Sequence, residues 1–172
     1  NNIKIKNNYL IFLLIGIYLV SRYFLYDYFQ IKADPNVLKP GWHVLELEFL
    51  NKDLFNSILH LHSQPPLWNL IIGISSKIVS GDLINTSILL NFFNYLITIG
   101  IIIFTYKVLL EFKIKKKLSF FIILILIIFN PNVIFYENIT IYNHILSFLL
   151  TNLFWLIIKF FKTKNKKYEL FL

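Results

Sequence analysis

Side chains of the types that carry acid–base chemistry are concentrated in one segment of the sequence, residues 27–82. This segment holds three of the four His, two of the three Trp, six of the nine acidic residues and four of the five Pro. Carboxylates and imidazoles are the groups that most often move protons in enzymes. A functional site is therefore expected in this segment.

The spacing of these residues excludes some kinds of site. His60 and His62 flank Leu61 and point to different faces of a helix, which is poor spacing for one metal ion. Glu46 and Glu48 are two residues apart and cannot share a helical face, so at most one of them points into a common cleft. The chain has no Cys, which excludes a disulfide framework, thiolate catalysis and cysteine-ligated zinc.

The composition of the whole chain is that of a membrane protein. Hydrophobic residues make up 57% of the 172 residues and charged residues 15%, against about 45–50% and about 25% in soluble domains. The mean hydropathy is +0.65, and eighteen Phe, ten Tyr and three Trp suit a chain solvated by lipid, with amphipathic rings at the interfaces. We expect an integral membrane protein rather than a soluble domain.

Four apolar runs are long enough to cross a hydrocarbon core about 30 Å thick, which takes roughly 20 residues of helix. A fifth run, Leu67–Val79, has only 13 residues and is expected to lie at the interface. Asn side chains within the spans are expected to hold helices together. The four predicted spans are 9–26, 83–106, 118–134 and 139–161, and the Asn residues are Asn85, Asn91, Asn94, Asn143 and Asn152.

The distribution of Lys predicts the orientation, because cytoplasmic loops carry an excess of basic residues. If residues 67–79 do not cross, twelve of the seventeen basic residues lie in the cytoplasm and seven of the nine acids lie outside. If they do cross, a loop with five Lys is forced outside. The prediction is a single membrane domain with a cytoplasmic N-terminus and one large outer loop, 27–82. The net charge of +8 therefore reflects the basic residues on the predicted cytoplasmic side of the membrane. No nucleic-acid partner is expected.

The outer loop contains helical patterns of its own. Apolar residues recur with a period close to 3.6 over Trp42–Leu61, which predicts an amphipathic helix broken near Asn51–Asp53. Pro65 and Pro66 end this helix and start a second juxtamembrane helix at Leu67. The fold class is thus all-α and polytopic, with about four transmembrane helices plus juxtamembrane amphipathic helices. Because the chain contains no Met, we expect residues 1–172 to be part of a longer protein.

One stretch of the outer loop resembles a known family. Gly41-Trp42, the acids Glu46 and Glu48, and the pattern Leu-His-Ser-Gln-Pro-Pro-Leu-Trp-Asn over 61–69 resemble the first outer loop of the integral-membrane GT-C glycosyltransferases. This superfamily includes the protein O-mannosyltransferases and the aminoarabinose transferases of lipid A. The segment Asn130–Asn138 is similar to their second outer loop, in which a Pro follows the third span and an acid comes shortly after. The acidic pair that many members place directly after the first span is not cleanly present.

The resemblance implies transfer of a sugar from a polyprenyl-phosphate donor to a glycan, lipid or protein acceptor at the outer membrane face. An acceptor hydroxyl attacks the anomeric carbon in such a reaction, so the site needs a carboxylate base. Asp34, Glu46 and Glu48 are the candidates for this base. The alternative for each is a solvated acid or a turn-forming Asp.

The same resemblance implies that residues 1–172 are the N-terminal part of the enzyme. For this reaction, we expect roles in substrate binding for residues His62, Gln64, Glu137 and Arg22. His62 either bonds to the donor phosphate or to the base, or it pins the Pro-Pro corner, beside which Gln64 can donate and accept hydrogen bonds. Glu137 either binds a divalent cation, the one cofactor considered, or orients the acceptor, or it marks the interface beside Asn138. Arg22 either meets a lipid phosphate or extends to the interface.

A non-catalytic membrane protein, either a transporter or a structural subunit, is the competing hypothesis, and a homologue that has lost its base is a third. A transporter places ionisable residues near the bilayer midplane, often at broken helices. The acids here concentrate in an extramembrane loop, which favours the enzyme. Abundant Ile, Lys and Asn indicate an AT-rich genome, and we expect a bacterial inner-membrane protein.

Overall fold

The computed structural model describes residues 9–39, 44–60, 65–139 and 142–163, and every regular element in these ranges is helical. This confirms the all-α fold class. A 3-10 turn covers Pro35–Leu38, and a π-helical stretch, Leu124–Ile128, extends the sixth helix. The helices are α1 (Tyr9–Asp27), α2 (Leu47–Lys52), α3 (Leu54–Leu59), α4 (Pro66–Ile78), α5 (Leu83–Glu111), α6 (Lys116–Ile123), α7 (Pro131–Asn138) and α8 (Asn143–Thr163).

Three helices are long and apolar enough to cross a membrane: α1, α5 and the Asn143–Lys162 part of α8. At a rise of 1.5 Å per residue, α1 is about 28 Å long and α5 about 43 Å long. A fourth crossing is available if α6 with its π-helical extension and α7 together form one broken span. The three to four spanning helices agree with the predicted membrane fold.

The third predicted span, 118–134, is divided in the structure. The segment Lys116–Ile128 ends before Phe129, and α7 begins at Pro131 with its axis bent by 50°. Pro131 has no N–H to continue the helical hydrogen bonds and disfavours helical backbone at the residue before it. The Asn130 side chain accepts a hydrogen bond from Asn132 N–H at 2.9 Å and so begins the new helix. Thirteen residues cover only about 20 Å, too little to cross alone.

The chain divides into two compact units, and the first contains α1, α6 and parts of α5 and α8. One face of α1 is buried at every fourth residue, Leu10, Leu14, Tyr18 and Arg22, and it packs against α6 and the π-helical stretch. The rest of α1 is apolar and exposed, as expected of a helix that faces lipid.

Within the same unit, α5 and α8 approach closely. A Cβ atom at Gly100 would lie 2.5 Å from the Phe148 ring. The Phe104 ring lies 5.8 Å from that of Phe148 and 5.5 Å from that of Trp155. At the ends of these helices, the Glu111 carboxylate contacts the ammonium groups of Lys159 at 2.5 Å and Lys162 at 3.2 Å. Two segments predicted to share the cytoplasmic face, the five-lysine loop and the Lys-rich tail, thus meet at Glu111.

The second unit comprises Lys32–Tyr95 and Tyr136–His144. The predicted break in the amphipathic segment lies at Asp53, whose carboxylate accepts hydrogen bonds from the backbone and side chain of Asn56 and so begins α3. Helix α4 packs against α2 and α3. A Cβ atom at Gly73 would overlap Leu54 Cδ1 and lie 3.3 Å from Leu50 Cβ, so glycine permits this close packing. Three helices of the predicted outer loop therefore pack against one another.

Candidate functional site

Glu137 is the most deeply buried acid that the structure describes, with 0% of its surface exposed. It lies in the last turn of α7, where backbone carbonyls lack partners within the helix. Its carbonyl accepts hydrogen bonds from Asn91 Nδ2 at 2.8 Å and Asn94 Nδ2 at 3.0 Å. Asn91 Nδ2 also lies 3.3 Å from Asn138 Oδ1. Two amides of α5 therefore hold the end of α7 in place.

These two amides belong to a polar face on an otherwise apolar helix. Ser87, Asn91 and Asn94 follow a spacing of four and three residues, so they lie on one side of α5, and each is at most 6% exposed. The Ser87 hydroxyl makes no hydrogen bond with any residue that the structure describes. Polar groups within a membrane helix are expensive unless they meet a partner, water or a ligand. This face is the strongest functional signal within the spans.

The backbone of Asp34 contacts the C-terminal end of α7. Its N–H donates to the Asn138 carbonyl at 3.4 Å. Its side chain is exposed, and Oδ1 accepts from the backbone N–H of Asn36 at 2.9 Å and from the Asn36 amide at 2.8 Å. Asp34 Oδ1 thus forms a turn, as the alternative interpretation of this residue expects. Asp34 Oδ2 has no hydrogen-bond partner among the described residues. We name Asp34, Asn91, Asn94, Glu137 and Asn138 the acidic junction.

The other two candidate bases, Glu46 and Glu48, lie at the start of α2. Both side chains are exposed, and Glu46 precedes the helix without capping it. The backbone in front of them is fixed by Asn69, which is 0% exposed. Asn69 Oδ1 accepts from Leu45 N–H at 2.7 Å, and its Nδ2 donates to the Pro65 carbonyl at 3.1 Å. Asn69 therefore ties the Glu46 segment to the start of α4.

We expect Asn69→Ala to lower the free energy of unfolding by about 2 kcal/mol, since it leaves the Leu45 N–H and the Pro65 carbonyl without these partners. The measurement is thermal unfolding in detergent. Asn85→Ala is the matched control, because Asn85 is exposed and bonds only through its backbone N–H, to Asp82 Oδ2, which alanine keeps. Equal losses for the two variants would show that the Asn69 bonds contribute nothing.

Arg22 lies inside the first unit, only 4% exposed. Its guanidinium donates to the Ile128 carbonyl at 2.8 Å and to Ser21 Oγ at 3.1 Å, and it stacks over the Tyr18 ring at 4.6 Å. The Ile128 carbonyl belongs to the end of the π-helical stretch, where the helix is interrupted. In this structure the arginine supports the break in the chain, and its predicted binding of a lipid phosphate stays a prediction.

His62 and Gln64 lie outside the described residues, so their predicted roles are not placed. Trp68 is described and is 2% exposed. No group of three or more His, Cys, Asp or Glu side chains suited to a metal ion occurs in the described ranges. Glu137 as a cation ligand stays a prediction.

From the sequence, Asn91 and Asn94 are expected only to hold helices together, and Asn69 has no expected role beyond its place in the 61–69 pattern. The structure gives each amide a definite backbone partner. The spacing of residues 87, 91 and 94 along one helical face was a signal available in the sequence. Asn69 and Leu45 are 24 residues apart, and no local sequence pattern predicts their hydrogen bond.

Comparison of this chain with protein-family models, with curated proteins and with solved structures finds no match. The resemblance of residues 41–69 and 130–138 to GT-C glycosyltransferases therefore stays a prediction from the sequence. So do the roles that it implies for the candidate acids.

Proposed function

We propose that this chain is part of an integral-membrane glycosyltransferase that takes a sugar from a polyprenyl-phosphate donor at the outer membrane face. The observation that carries the proposal is the acidic junction. An acidic segment from the first predicted outer loop and an acidic segment from the second lie together, joined by the bond from Asp34 N–H to the Asn138 carbonyl. The two predicted outer loops thus contact each other beside two of the candidate acids, Asp34 and Glu137.

In the proposed reaction, Asp34 is the general base. Its Oδ1 is held by the two Asn36 donors, which orients the carboxylate and leaves Oδ2 to receive a proton. The acceptor oxygen forms a bond to the anomeric carbon, and the bond from that carbon to the phosphate oxygen breaks. The acceptor proton passes to Asp34, and the phosphate leaves with the electron pair as polyprenyl phosphate. Glu46 and Glu48 are the other exposed candidates for this step.

The test is sugar transfer by the purified full-length protein, with a panel of radiolabelled undecaprenyl-phosphate sugars as donors. We expect Asp34→Asn to lower kcat at least about 100-fold, the usual effect of losing a positioned base. Asn still caps helices well, so the turn at Pro35 should be retained.

Asp53→Asn is the matched control for Asp34→Asn. Asp53 is also exposed and also bonds to the backbone and side chain of a nearby Asn, but it lies outside the acidic junction. Its replacement should leave transfer unchanged. Equal rates for Asp34→Asn and the wild type would remove Asp34 as the base, and Glu46→Gln and Glu48→Gln then test the remaining candidates. No transfer from any donor by the wild type would overturn the proposal.

A transporter is the second candidate, and a specific observation favours it. The pair formed by 116–128 and 131–138 is bent by 50°, and the fully buried Glu137 lies in its second helix. Broken helices and enclosed ionisable groups are typical of transport sites. A proton-coupled transporter would move protons into proteoliposomes, which a trapped pH-sensitive dye reports.

A further inference from the structure

Lys107 is a cation near the end of α5, the longest helix that the structure describes. Its ammonium group lies over the rings of Phe104 and Trp155, at 4.8 and 4.6 Å from their centroids, and the residue is half-buried. Its side chain makes no hydrogen bond or ion pair with any described residue. A charged group in a membrane-spanning helix is costly unless a partner meets it. The described residues thus offer Lys107 two rings but no oxygen acceptor for its three N–H donors.

Two lysines of α8 lie one to two turns beyond Trp155, at the same end of the first unit. Lys159 and Lys162 both contact the Glu111 carboxylate, and Lys162 also donates to the Glu111 carbonyl. Glu111 follows Lys107 by four residues, a rise of about 6 Å along α5. One carboxylate therefore offsets one of three ammonium charges. We name Lys107, Lys159 and Lys162 the basic cluster.

The basic cluster lies at the depth of the lipid headgroups. Helix α5 is about 43 Å long, whereas the hydrocarbon core is about 30 Å thick, so about 13 Å of the helix extends beyond this core. Its only charged residues are Lys107 and Glu111, both in its last two turns. Because charged side chains avoid the hydrocarbon, the end with these two residues is the end that extends among the lipid phosphates.

An exposed pair of aromatic rings lies at the same end of these helices. Phe112 is 58% exposed and Phe154 is 49% exposed, and their ring centroids are 6.3 Å apart. Phe112 directly follows Glu111, and Phe154 directly precedes Trp155. Excess positive charge beside exposed rings fits an amphipathic anion, with a charged head and an apolar chain, better than a free inorganic anion.

We propose that the basic cluster binds the phosphate headgroup of an anionic membrane lipid, with Lys107 as the central contact. The phosphate oxygens accept hydrogen bonds from the Lys107 ammonium, and the phosphate charge offsets the excess charge of the cluster. The choline group of phosphatidylcholine cancels the charge of its own phosphate, so the site favours phosphatidylglycerol. The site contains no residue of the acidic junction, and lipid binding there does not depend on sugar transfer.

Native mass spectrometry of the purified full-length protein in detergent tests this site. Titration with phosphatidylglycerol or phosphatidylcholine gives the dissociation constant of the first bound lipid. We expect the wild type to bind phosphatidylglycerol about tenfold more tightly than phosphatidylcholine, and Lys107→Gln to bind phosphatidylglycerol about fivefold more weakly than the wild type. Lys107→Arg keeps the charge and the stacking on the rings, and it should bind as the wild type does.

Lys117→Gln is the matched control for Lys107→Gln. Lys117 is exposed in the first turn of α6, and its replacement removes the same charge outside the basic cluster, so lipid binding should stay at the wild-type level. Equal affinities of the wild type for the two lipids, or equal losses in Lys107→Gln and Lys117→Gln, would overturn the proposal. So would displacement of phosphatidylglycerol by an equal concentration of inorganic phosphate, which would indicate a site for a free anion. If Lys107→Gln does not fold, the comparison of Lys162→Gln with Lys117→Gln decides in the same way.

Discussion

Replacing Glu137 with glutamine is expected to lower kcat/KM for sugar transfer about 100-fold, while the unfolding temperature changes little. Glutamine has the same shape, and the bonds from Asn91 and Asn94 go to the backbone carbonyl of residue 137, so the end of α7 should keep its position. What is lost is one carboxyl oxygen of a fully buried side chain, which an amide NH2 group replaces. If that oxygen orients the acceptor, a small misplacement of the reacting atoms costs about this much.

A control variant and a second measurement distinguish the possible roles of Glu137. Glu111→Gln removes the carboxylate that contacts Lys159 and Lys162 in the first unit and should leave transfer unaffected. Unchanged transfer by Glu137→Gln, together with loss of proton uptake into proteoliposomes, would favour the transporter over the transferase. Loss of thermal stability without a specific loss of activity would make Glu137 a structural residue.

Arg22→Met should lower the free energy of unfolding by about 3 kcal/mol. Methionine fills much of the same space but cannot donate to the Ile128 carbonyl, which then remains buried without this partner. The variant also loses the stacking of the guanidinium over the Tyr18 ring. Unfolding by SDS titration in mixed micelles measures the difference.

The control for Arg22→Met is Lys107→Met. The Lys107 ammonium lies over the rings of Phe104 and Trp155 at 4.8 and 4.6 Å, so its replacement also removes a stacked cation. No buried carbonyl loses its donor, however, and we expect a loss of about 1 kcal/mol. An Arg22→Met variant that is as stable as the wild type but fails to bind a polyprenyl-phosphate sugar would support the lipid-phosphate interpretation instead.

Much of the fold follows from patterns that are local in the sequence. Apolar length places α1, α5 and α8 within a few residues of their observed ends, and the period of apolar residues predicts α2 and α3 with the break between them. The division of the third span was not predicted. Pro131 is visible in the sequence, but the apolar run continues through it, and the Ile128 carbonyl at the break accepts its hydrogen bond from a donor, Arg22, that is 106 residues away.

Local sequence patterns predict less of the candidate site than of the fold. The acids Asp34 and Glu137 were identified by type and by resemblance, yet nothing local indicates that Asp34 N–H meets the Asn138 carbonyl. The spacing of Asn91 and Asn94 along α5 is visible in the sequence. Their shared acceptor, the Glu137 carbonyl, depends on where α7 ends. Long-range hydrogen bonds of this kind depend on packing, which a single sequence does not display.

The bond between Arg22 and the Ile128 carbonyl also has a consequence for biosynthesis. A ribosome adds about 5–20 residues per second, so the 106 residues between the two partners take about 5–20 s to emerge. During that interval α1 has left the ribosome with an arginine that cannot yet reach its acceptor. The buried hydrogen bond of Arg22 therefore forms only after residue 128 has been synthesised, so the packing of α1 is completed later than its synthesis by at least this interval.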